Sequence, residues 1–70
     1  MVLSHVHVTF HNPLWAVTIE REHVPRSQHR TKESACEAGR KLAIRTHADL
    51  IVHSYNGKIE SHESFRSRFL

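Results

Sequence analysis

The side chains best equipped for chemistry in this chain are its histidines, eight among 70 residues. Neutral imidazole is the commonest metal ligand, and it is the side chain whose ordinary pKa changes its charge between about pH 5 and 8. His5 and His7 fall in the alternating run HVHVTF, on the same side of a strand and roughly 7 Å apart. His53 ends a second apolar run, LIVH, and is assigned to the same sheet face. Three imidazoles on one face can hold zinc, nickel or copper. The plainer account, polar filling of a solvated face, is preferred, because no cysteine or carboxylate completes a known ligand spacing. No cofactor is assigned.

A second chemistry is contact with phosphate. The formal net charge is +3 with histidine neutral, and protonating all eight histidines would add eight charges. Arg21, Arg26, Arg30 and Lys32 are expected as a basic strip around a third strand. Lys58 joins Thr9, Thr18, Ile51 and Tyr55 on the outer sheet face. Single-strand binders stack bases on several aromatics, and that face offers one. Weak, non-specific nucleic-acid binding is therefore the alternative reading, resting on charge alone. Catalysis has less behind it. No HExxH, P-loop, GxSxG or CxxC occurs. Cys36 beside a histidine would make a nucleophile pair, but a small half-buried cysteine is the commoner case.

The elements that must position these residues follow from periodicity. Val6, Val8 and Phe10 alternate with polar residues, then Asn12-Pro13 turns the chain. Trp15, Val17 and Ile19 give a second strand, with Phe10 near Trp15. Pro25–Arg30 is polar and reads as a short edge strand. Thr31 caps a helix whose inner stripe is Ala35, Ala38, Gly39, Leu42 and Thr46. These residues are mostly small, so the helix should approach the sheet closely. In ADLIVHSYNGKIES, Asn56-Gly57 is read as a two-residue type I′ turn. That register sets Tyr55 opposite Lys58, Ser54 opposite Ile59 and Val52 opposite Ser61. The expected core is Val6, Val8, Trp15, Val17, Ile19, Ala35, Ala38, Leu42, Leu50, Val52 and Ile59. The predicted fold is α+β: an antiparallel sheet of four or five strands with one helix on one face, β-β-(β)-α-β-β. Residues 1–62 form the domain and 63–70 a tail docked through Phe65 or Phe69.

Two further features of the sequence bear on fold and setting. Trp15-Ala16-Val17 follows a turn after an HV strand, and Thr31-Lys32 opens the helix ACEAGRKLA. Leu50-Ile51-Val52-His53 leads to a tight turn, Asn56-Gly57, with Lys58-Ile59 after it. From His5 to about Phe65 the chain thus resembles a bacterial domain-of-unknown-function family, number 2188. The resemblance implies a fold and no activity, substrate or catalytic residue. The chain departs from the family pattern at Asn12-Pro13-Leu14, at Thr46-His47, where glycine is common, and at Ile44, where a charge is usual. One cysteine excludes an intrachain disulfide framework and suits a reduced cytoplasm. No run of about 18 apolar residues exists, so no membrane helix is expected. The start MVLSHVHVTF lacks signal-peptide regions.

The resulting expectation is a small non-enzymatic binding or interaction module that self-associates as a homodimer. Ile44 lies on the charged helix face, and Ile51 and Tyr55 lie on the sheet. These three are the candidate contact residues. The sequence specifies no small-molecule ligand.

Overall fold

The computed structural model describes residues 5–66. Val6–His11 (β1) and Leu14–Ile19 (β2) form an antiparallel hairpin with Phe10 opposite Trp15, as the alternation predicts. Ser27–His29 (β3) pairs with β2 and forms one edge of the sheet. Lys32–Thr46 (α1), Asp49–His53 (β4) and Ile59–Ser64 (β5) follow, and the strand order is β3-β2-β1-β4-β5. The α+β class and the element order are as expected. The all-antiparallel sheet is corrected at one place, because β1 and β4 are parallel, with Val6 opposite Leu50 and Val8 opposite Val52. Both β1 and β3 run antiparallel to β2, so they share a direction. A parallel neighbour cannot be reached by a hairpin, and α1 supplies the crossover from the β3 edge to the far side of β1. Among the described residues, no helix is long and apolar enough to cross a membrane.

Thr31 caps α1 as expected, its Oγ1 accepting from Ser34 N–H at 3.1 Å. That satisfies one of the first-turn donors left without an intrahelical partner. Glu33 in the first turn and Arg45 in the last complement the helix dipole. The buried stripe is Ala35, Gly39, Leu42 and Ala43. Ala38 is only partly buried, and Thr46 is exposed, its hydroxyl donating to Leu42 O at 2.8 Å. The close approach of helix to sheet centres on Gly39. A Cβ there would lie 3.0 Å from Leu50 Cδ1 and 3.0 Å from Val8 Cγ2. The helix ends on His47 in the left-handed conformation, φ 56°, a site that glycine occupies without strain.

The core differs from expectation at specific residues. Val6, Val8, Val17, Ala35, Leu42, Leu50 and Val52 are buried as predicted, and Ala43 and Ala48 join them. Trp15, Ile19 and Ala38 are only partly buried. Ile51, expected on an exposed face, is 8 % exposed. It lies between His7 on β1 and His62 on β5, and those larger side chains cover it.

The second hairpin carries the other correction. Only Gly57 takes a positive φ, 91°, so the two-residue type I′ turn does not form. Gly57 N–H donates to Ser54 O at 2.9 Å and Ser54 N–H to Lys58 O at 2.8 Å. The loop is therefore residues 55–57, a three-residue connection with glycine in the left-handed position. His53 then pairs with Ile59, and the extra residue Glu60 restores the predicted pairing of Val52 with Ser61. This bulge turns Ile59 to the side away from α1, where it is 63 % exposed and not core. The strand continues to Ser64, Phe65 N–H donates to Ala48 O at 3.1 Å, and Phe65 packs on the core. The pairing of β5 thus runs two residues past the expected end of the domain, Phe65 docks as expected, and Phe69 lies outside the described residues.

Two substitutions test this packing. Gly39→Ala normally gains about 1 kcal/mol of helix propensity. Here the added methyl meets fully packed Leu50 and Val8, and overpacking of about 1–3 kcal/mol outweighs the gain. The melting temperature should fall, and a rise would refute the close approach. His47→Gly should raise it, by roughly 1 kcal/mol of relieved left-handed strain.

Candidate functional site

Among the described residues no layer covers the face of the sheet opposite α1, and the chemistry of that face is set by strand alternation. The residues that alternate with Val6 and Val8 point outward, which places His7 of β1 and His5 just before it there. The parallel register brings Asp49, Ile51 and His53 of β4 alongside. β5 adds His62 opposite Ile51, and Glu20 follows the end of β2. Alternation assigns His5, His7 and His53 to this face, and all three are on it. Asp49, Glu20 and His62, which no local pattern joins to them, are supplied by the strand order. Alternation within β4 and β5 could have placed each on a face, but only adjacency of β4 to β1 joins them.

Two linked groups result. At one end, His62 Nε2 lies 2.8 Å from Asp49 Oδ2, and His5 Nε2 lies 3.6 Å from the same oxygen. At the other, His7 Nδ1 and His53 Nε2 are 3.0 Å apart with their rings stacked at 5.2 Å. One of these two nitrogens must donate and the other accept, so two fully protonated rings would oppose N–H groups. Glu20 joins the groups, its Oε1 lying 3.0 Å from His5 Nδ1 and 3.3 Å from His7 Nε2. Hydrogen bonding to His7 holds the Glu20 carboxyl below the usual range. Asp49 is the buried member, with its side chain 9 % exposed. Its hydrogen bond from His62 lowers its pKa despite burial, with Ser64 and Arg66 adding to the effect. Arg66 Nε lies 3.2 Å from Oδ1 but is not aligned to donate a hydrogen bond to it.

The expected basic strip is not brought together. Arg21 follows β2, and Arg26 makes a two-pronged contact with Glu22 at 3.0 and 3.2 Å. Arg30, Lys32 and Lys58 belong to the other end of the sheet, beside the start of α1 and the β4–β5 turn. Lys32 pairs with Glu60 and lies 5.8 Å from the Trp15 ring centre. Of the three contact candidates, Ile44 is 51 % and Tyr55 71 % exposed, while Ile51 is buried.

The family described as "uncharacterized protein conserved in bacteria" (DUF2188) matches residues 6–65. The chain belongs to this family. The match spans the whole sheet and helix, so it confirms the expected resemblance and brings no assigned activity. No curated protein and no solved structure matches the chain.

The lowered Asp49 carboxyl sets a pH dependence. A depressed folded-state pKa contributes stability that is complete above the unfolded-state value and is lost as pH falls through the folded-state one. The difference in urea midpoint between the unmutated chain and Asp49→Asn should therefore be largest near neutrality and shrink below about pH 4. A difference independent of pH would refute the ion-pair account.

Proposed function

We propose that the chain is a small non-enzymatic interaction module that self-associates along the free edge of β5. The observation that carries this reading is an open edge strand flanked by an exposed apolar residue. Among the described residues β5 pairs only with β4, and all six of its residues are exposed. Unpaired N–H and C=O groups along such an edge accept another strand. A second copy supplies one antiparallel, about a twofold axis. Edge charges usually discourage such pairing, but Glu63 is held by Arg40 Nη1 at 2.8 Å and Glu60 by Lys32. Ile44 lies one helical turn beyond Arg40 and so flanks the same edge. Ile59, on the opposite face, and Tyr55 are separate exposed apolar side chains at the hairpin end. Ile51 is buried and takes no part.

The non-enzymatic reading is supported by Cys36, whose half-buried thiol is pushed up by burial, the reverse of what a nucleophile needs. A single free thiol also suits a cytoplasmic setting.

Sedimentation equilibrium tests self-association. The unmutated chain should be dimeric. Ile44→Glu, placed near its symmetry mate, should weaken the dimer at least about tenfold, or about 1.4 kcal/mol, with an unchanged far-UV spectrum. A monomer at high concentration would end the reading.

The nucleic-acid alternative keeps one supporting observation. Arg26, Lys41 and Arg45 line a single groove between α1 and the β2–β3 edge, floored by Val17 and Leu42. If that groove binds phosphates, affinity should fall steeply with salt as counterions are released. Absence of a shift with single-stranded or duplex DNA at about 50 mM salt would remove it.

A further inference from the structure

We propose that His5, Asp49 and His62 form a binding site for a divalent transition metal ion of the zinc class. The donor atoms of these three residues lie within 4.8 Å of one another. Tetrahedral zinc with bonds of about 2.0–2.1 Å places its ligand atoms about 3.3 Å apart. The two contacts to Asp49 Oδ2, 2.8 and 3.6 Å, bracket that separation. Ring rotations that draw the two imidazole nitrogens together, from a separation of at most 4.8 Å, complete the geometry.

Three independent features prepare the ligands. Asp49 is nine-tenths buried, so its carboxylate is held in place without solvent. Its Oδ1 is a buried acceptor with no hydrogen bond, and Arg66 beside it supplies charge while leaving Oδ2 to the imidazoles. His5 Nδ1 faces Glu20 Oε1 at 3.0 Å. A carboxylate beside Nδ1, though not aligned as a hydrogen bond, favours that nitrogen as the protonated one in neutral His5 and leaves the Nε2 lone pair on the Asp49 side. A carboxylate behind a histidine is the arrangement that orients metal-bound imidazoles and raises their basicity. His62 enters from the adjacent strand with its Nε2 already on Oδ2, so metal binding requires that nitrogen to give up its proton, to solvent from the charged ring or to Nδ1 in the neutral one. Two imidazoles and one carboxylate suit zinc and its neighbours over magnesium or calcium, which prefer oxygen alone. Three protein ligands leave a fourth position for water or a ligand from elsewhere. This site does not depend on self-association, because all three ligands come from one chain.

Calorimetric titration of the full chain with zinc chloride near pH 7.5 tests the site, with magnesium chloride as comparison. One zinc should bind per chain and magnesium should give no saturable heat. His5→Ala and His62→Ala should each weaken zinc at least tenfold, whereas His11→Ala, outside the cluster, should change it less than twofold. Glu20→Gln should weaken it several-fold without altering the stoichiometry. In histidine ring nitrogen spectra, zinc should move Nε2 of His5 and leave its Nδ1 protonated. No saturable zinc binding would overturn the proposal. Equal loss in His62→Ala and His11→Ala, or binding that depends on His7 and His53 alone, would also overturn it. His62 is half exposed and His5 about one-third, so both variants should fold, and far-UV spectra check that they do.

Discussion

The close contact of α1 with β1 and β4 at Gly39 is the constraint on which the rest depends. The helix must leave the β3 edge and cross the sheet. It can deliver β4 only by lying directly over the central strands. A stripe of Ala35, Gly39 and Ala43 lets it do so at short range, and Leu42 extends the contact. Once the helix is seated there, β4 falls beside β1 in parallel register. The meeting of His5 and His7 with Asp49 and His53 on the open face follows from that adjacency.

Seating the helix over the centre leaves the flanks of the sheet thinly covered. On the β5 side the structure responds with two helix-to-strand ion pairs, Lys32–Glu60 and Arg40–Glu63. Both pairs are partly exposed, and such pairs contribute little stability on their own. Their effect is geometric: they hold the glutamates of the edge toward the helix and leave the backbone edge open. Phe65 anchors the strand's end through the core and through its bond to Ala48.

The face without a helix is not left apolar. Ile51 is covered by imidazoles from both neighbouring strands, and the carboxylates of Asp49 and Glu20 answer those imidazoles. A single layer of titratable side chains thus does the covering that a second helix would do in a larger protein.

Much of this architecture was determined by the sequence alone. Period-two alternation is local, and it placed β1, β2, and the buried Leu50 and Val52. Thr31 and the small-residue stripe are also local signals, and both the cap and the close approach are as the sequence implies. The outward histidines His5, His7 and His53 were legible for the same reason. Tertiary structure decided what no local pattern carries. Parallel pairing of β1 with β4 depends on where the crossover helix lands, and it alone joins His5 to Asp49. The residue count of a turn depends on a single backbone angle. Asn56 does not take a positive φ, so a three-residue loop and the bulge at Glu60 moved Ile59 from core to surface. Exposure depends on neighbours, so Ile51, outward by alternation, is buried by rings from strands distant in sequence. Alternation specifies which way a side chain points, and only packing specifies what it meets.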